Sequence, residues 1–224
     1  IDDCTILKKD KEAFGLIEKM RSIPEMLSNT ELADAEAKIF IYSCSAELFL
    51  YAGSGKFEEG VGIVSSIENG LRKLEDKISM DSKFVLYYNL GYLYFGAGRY
   101  PKAIFWLNKI LNSTETLVAE DIHCFSRMLN LLAHYEVGNK DLLRYITKSA
   151  QRFIYKKKML HQYEKSLLAY ILKLSGSGIE KKRMLILKEF KNEIQKIFNS
   201  SVEIQPMQYF DFASWLDSKI LGKT

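Results

Sequence analysis

The chain has 224 residues, 47% of them apolar or aromatic and 27% charged, with a formal net charge of +4. That is the balance of a folded chain with a substantial core, in one domain or a short repeat array, and it excludes a disordered polyelectrolyte. The three cysteines, Cys4, Cys44 and Cys124, are odd in number and scattered, which excludes a disulfide framework and a CxxC metal knuckle and fits a reducing compartment.

The opening IDDCTILKKDKEAF lacks the basic-then-apolar order of a secretory leader. No apolar run approaches the roughly 18 residues of a membrane span. These features set the expectation of a cytoplasmic protein. The sequence begins at Ile1 rather than Met, so an effector domain ahead of it stays open.

Taken in chain order, the first expected helical hairpin covers residues 31–74 and turns within AELFLYAGSGKFEEGVGIVSSI. The second, residues 80–112, is the clearest: in NLGYLYFGAGRYPKAIFWLNKI, Tyr87, Leu90 and Tyr94 recur at helical spacing, and so do Ala103, Leu107, Ile110 and Leu111 after the break. Gly96 and Gly98 relax the reversal, and Pro101 suits the first turn of the next helix, where its missing N–H costs no internal bond. The GAGRYP centre has neither the GxxxxGK[ST] of a phosphate cradle nor the GxGxxG of a dinucleotide loop, so it reads as a corner.

The third hairpin, residues 119–156, turns at Gly138 or Asn139 in NLLAHYEVGNKDLLRYITKSA. Tyr51, Tyr94 and Tyr135 precede the three corners at separations of 43 and 41 residues. A fourth hairpin, residues 158–198, is punctuated by SGSG, and a capping helix over 208–221 starts near Pro206 with Phe210, Trp215, Leu216 and Ile220 for packing. Corners are expected near 53–56, 96–101, 138–140 and 175–178, within a single domain spanning 1–224. The expected class is all-α.

The central unit resembles a tetratricopeptide repeat. Tyr87 stands where that family often has Trp, followed by Leu90, Gly91 and Tyr94, then Gly98 and Tyr100 at the turn, and Ala103 and Leu107 in the second helix. The resemblance implies an α-α superhelix, a solenoid of antiparallel hairpins. The other units depart from the pattern: Leu48 and Leu132 stand in the place of Gly91, Gly60 and Arg144 in the place of Ala103, and the spacing exceeds the family's 34 residues.

No constellation of catalytic residues emerges. His123, His134 and His161 are the only histidines, with no HExxH, and the adjacent His123 and Cys124 point in different directions on a helix. Glu58 and Glu59 open a helix and read as dipole-favouring carboxylates, and Glu115, Glu120 and Asp121 fall at another interhelical boundary. The expectation is a non-enzyme without metal or cofactor. Tyr87, Tyr94, Phe95, Tyr100, Phe105 and Trp106 read as core or repeat-interface residues.

Binding residues follow from the resemblance, which implies that inner-helix side chains recognise an extended peptide or a helix. The candidates are Tyr88, Asn89, Tyr92, Asn108 and Asn130; the full basic set of a carboxylate clamp is missing, so a receptor for chaperone tails is not implied. Charge is uneven: residues 1–138 carry 15 cations and 20 anions, net −5, while 139–224 carry 17 and 8, net +9. Lys156, Lys157, Lys158, Lys181, Lys182 and Arg183 form a candidate basic patch for an acidic protein, nucleic acid or an anionic membrane, or else a solvated face. The preferred reading is a protein-interaction scaffold. Its alternatives are a peptide-sensing regulatory segment of a larger signalling or transcriptional protein and a nucleic-acid-binding helical repeat.

Overall fold

A helix that must reverse direction leaves its last carbonyls without intrahelical partners, and three corners of this chain solve that problem in one way. The computed structural model describes residues 10–23, 29–114, 120–156, 162–177, 179–200 and 210–222. At the GAGRYP corner Gly98 adopts φ +69°, and Gly55 and Gly138 do the same at +71° and +83°. Beyond each glycine the next N–H reaches back to a carbonyl five residues earlier: Arg99 to Tyr94 at 2.9 Å, Lys56 to Tyr51 at 2.9 Å, Asn139 to His134 at 3.1 Å. The glycines are required because a Cβ is strained in this left-handed conformation.

Among the described residues the regular structure is helical. The helices are α1 (Asp10–Ser22), α2 (Asn29–Gly53), α3 (Phe57–Gly62), α4 (Val64–Lys73), α5 (Met80–Gly96), α6 (Tyr100–Leu111), α7 (Glu120–Val137), α8 (Lys140–Lys156), α9 (Gln162–Ser175), α10 (Glu180–Ser200) and α11 (Phe212–Leu221), with a 3-10 turn at Glu75–Lys77. The chain forms two compact units, Ile1–Ala119 and Glu120–Thr224.

In the first unit α1 packs on α2, α2 and α3 both pack on α5, and α5 packs on α6. Ala13, Ile17 and Leu50 join α1 to α2, with Phe14 set 5.2 Å from the Tyr51 ring. Gly91 explains the intimacy of α5 and α6: a Cβ there would sit 2.9 Å from the Leu107 side chain. Ala103 and Leu107 are fully buried beside it. Pro101 lies in the first turn of α6, and the side chain of Ser79 caps α5 by accepting from the Ser82 N–H.

In the second unit α7 packs on α8 and α9, α8 on α9, α9 on α10, and α10 on α11. The Glu136 carboxylate ties the last of these helices back to α7: it accepts from Trp215 Nε1 at 2.7 Å and pairs with Lys219 at 2.6 Å. Trp215 also meets Tyr135 edge-on, and Lys191 pairs with Asp217. Phe210, Trp215 and Leu216 are buried, and the expected start of the last helix near Pro206 lies outside the described residues.

Three expectations need correction. The second helix of the first hairpin is broken at Ile63 into α3 and α4, where Gly60 and Gly62 weaken helical propensity. Phe105 is 52% exposed and not core, because its neighbour Trp106 takes the inward position on α6; its ring meets Trp106 edge-on, and Lys109 lies over both rings and over Tyr87. Helix α1 falls outside the expected array altogether.

Two substitutions separate the turn argument from the packing argument. Gly98→Ala forces a Cβ into the left-handed region and is expected to cost about 1 kcal/mol, whereas Gly15→Ala, on exposed helix with nothing within 4 Å of the new Cβ, is expected to stabilise by up to about 1 kcal/mol. Opposite shifts of the thermal midpoint check this. Tyr94 is 8% exposed, so Tyr94→Ala is expected to lose about 2 to 4 kcal/mol in denaturant titrations; an unchanged midpoint would remove Tyr94 from the core.

Candidate functional site

The expected peptide-binding side chains divide by burial. On α5, positions 84, 88, 91 and 95 form one helical stripe, and all four are buried because α2, α3 and α6 each pack against this helix. Tyr88, only 3% exposed, therefore belongs to the interior and not to a partner surface. Tyr92 is half-buried, its ring edge-on to Phe57 at 6.3 Å. Asn89 and Asn108 are partly exposed on α5 and α6. Asn130, in the second unit, is 5% exposed, and its Oδ1 has no hydrogen-bond partner among the described residues. A buried amide on α7 is thus closed to a partner in this structure.

Among the described residues the groups with reactive chemistry are dispersed or engaged. His123 faces Phe153 on α8, whereas Cys124 faces Glu164 on α9 at 3.9 Å, as adjacent helical positions require. Burial, reinforced by Glu164, pushes the Cys124 thiol up to about 12, which keeps it protonated and a poor nucleophile. Burial likewise raises Cys44. His161 and Glu115 lie outside the described residues. Glu58 pairs with Arg99 at 2.6 Å, joining the first turn of α3 to the α5–α6 corner. Among the described residues no group of three or more His, Cys, Asp and Glu could hold a metal ion.

An open cleft of about 370 Å³ between α9 and α10 is lined by Gln162, Lys165, Ser166, Glu193, Lys196 and Ile197. Glu193 accepts from Ser166 Oγ and from the Tyr170 hydroxyl at 2.9 Å. Burial first, then the bond to Glu193, pushes Tyr170 up to about 12. The carboxylate is thereby committed to hydroxyl donors of the neighbouring helix. Lys165 and Lys196 are the other ionisable groups among the described residues that line the cleft.

The expected basic patch is described in part. Lys156, Lys181 and Lys182 are exposed, while Lys157 and Lys158 lie outside the described residues. Arg183 is half-buried, pairs with Glu180 at 3.6 Å, and is close enough to Tyr135 to oppose the burial that raises that phenol. A different set is brought together on α8: Lys140, Arg144, Lys148, Arg152 and Lys156, all exposed, at intervals of four residues. That spacing was available in KDLLRYITKSAQRFIYK, but attention to consecutive lysines misses a row that only a helix assembles.

His134 gives this unit a pH response. Asn139 Nδ2 lies 2.9 Å from His134 Nδ1, and since the amide nitrogen only donates, Nδ1 accepts and the ring is neutral. Burial holds the imidazole below its ordinary range. The unfolded chain therefore takes up the proton first, and the stability present above pH ~6.5 is lost as pH falls through that value toward the lowered folded pKa. Urea midpoints followed by Trp215 fluorescence in a Trp106→Phe background are expected to fall over this window, and His134→Gln to flatten the fall.

No family model, curated protein or solved structure matches the chain.

Proposed function

We propose that the chain is a non-enzymatic protein-interaction scaffold, a tetratricopeptide-like array of antiparallel helical hairpins that binds a peptide or helical segment of a partner. The observation that carries this reading is the recurrence of one corner: glycines at positive φ and a backbone bond reaching back five residues at positions 55, 98 and 138. The order of packing supports it as well. In each unit the first helix of a hairpin touches the first helix of the next, α2 on α5 and α7 on α9, and the second helix also touches that same neighbour, α3 on α5 and α8 on α9. Stacking of this kind yields extended surfaces rather than enclosed pockets, and such surfaces suit linear partners.

Free, buried thiols at Cys44 and Cys124 accord with a reducing compartment such as the cytoplasm. Selection of a random displayed peptide library on the folded protein tests the reading. A convergent peptide motif that binds in the micromolar range or tighter is the expected result. Failure of any peptide to enrich, with the protein shown folded by circular dichroism, would overturn it.

A further inference from the structure

The outer face of α8 carries the strongest unassigned chemistry of the molecule. Leu143, Thr147, Ala150 and Ile154 are the buried side of the helix. Opposite them stand Lys148, Arg152 and Lys156, with Lys140 and Arg144 on the flank and Asp141 as the helix's single carboxylate. Among the described residues none of the five cations forms an ion pair with a side chain. Two large rings stand among them in solvent, Tyr145 at 66% and Tyr155 at 74% exposure, and Leu142 beside Tyr145 is 43% exposed.

Steps of four residues place the cations about 6 Å apart along the axis and turn the row by about 40° at each step. The row therefore winds around the helix through roughly 160° from Lys140 to Lys156. A flat anionic surface meets only part of such a row at one time, while a flexible chain follows it. Leu142 and Tyr145 add an apolar shelf on the same outer side as Lys148, Arg152 and Lys156, one turn ahead of them. A phosphodiester backbone has no use for that shelf, whereas the apolar side chain of a peptide covers it.

We infer that this face of α8 is a docking surface for an acidic peptide segment that carries apolar side chains: its carboxylates follow Arg144, Lys148, Arg152 and Lys156, and its apolar residue rests on Leu142 and Tyr145. Charge complementarity selects the partner, since the surrounding residues 139–224 carry 17 cations against 8 anions. The tyrosines supply rigid amphipathic contact area at small entropic cost. This inference rests on the scaffold reading and names the partner's chemistry.

The test is fluorescence anisotropy of the intact chain with a short labelled peptide of alternating Glu-Glu and Leu or Phe, beside its Gln-for-Glu counterpart, single-stranded DNA and RNA of similar length, and vesicles containing phosphatidylserine. The acidic peptide is expected to bind, to weaken steeply with salt, and to lose about tenfold or more in affinity in the variant Arg144→Gln, Lys148→Gln, Arg152→Gln, Lys156→Gln. Leu142→Ala with Tyr145→Ala is expected to lose several-fold with the salt dependence unchanged. Should the fourfold variant lose its helical circular dichroism, Lys148→Gln with Arg152→Gln replaces it.

Equal binding of the Gln counterpart, equal binding by the charge variants, or tighter binding of nucleic acid or vesicles that those variants abolish would each overturn the proposal. If library-selected peptides still bind the charge variant as well as the parent protein, the α8 assignment fails while the scaffold reading stands. If no peptide of any composition binds, the scaffold reading fails with it.

Discussion

The architecture depends on how a helix that must turn back disposes of its terminal carbonyls. Each of the three related corners answers with a glycine in the left-handed region and a backbone bond reaching back five residues. Once the reversal is set, the two helices of a hairpin lie close enough for small residues to decide their spacing. Gly91 against Leu107 is the clearest instance, and Gly60, whose added Cβ would come within 2.9 Å of the Tyr51 side chain, repeats it between α2 and α3. Apolar burial supplies most of the stability in such a chain, but burial has no direction. The corners and close approaches supply the direction.

The all-α class and the corners were legible because they depend on local chemistry: apolar residues at helical spacing, a glycine that must turn left-handed, and Pro101 placed where its missing N–H is harmless. The inward positions of Tyr94, Ala103 and Leu107 follow from the same spacing. What depends on a third helix was not legible. Tyr88 shares a stripe with Gly91, which meets Leu107 of α6, and it is interior because α2, α3 and α6 all pack on α5. Arg183 looks like one of three equivalent cations in sequence, yet only packing against Tyr135 and Glu180 distinguishes it from Lys181 and Lys182.

The second unit also shows why polar groups are distributed as they are. Glu193, Glu136 and Glu164 face neighbouring helices, and the first two receive two side-chain donors each. A carboxylate placed between helices demands those donors at fixed positions, so it specifies which helix lies beside which and in what register, whether or not it adds net stability. Apolar seams tolerate sliding; a bond from the Trp215 indole to Glu136 does not.

That last bond spans 79 residues of sequence, and it sets an order of events. As the chain leaves the ribosome, α7 and α8 can form their hairpin early, yet the Trp215 and Lys219 donors that Glu136 receives are made only when residues 212–221 emerge. Until then the side of α7 that receives Trp215 stays uncovered, so the second unit reaches its final state by a late, non-local closure. A nascent chain arrested before this point would present a sticky intermediate to chaperones, and release of the closing helix would be the step that ends that vulnerability.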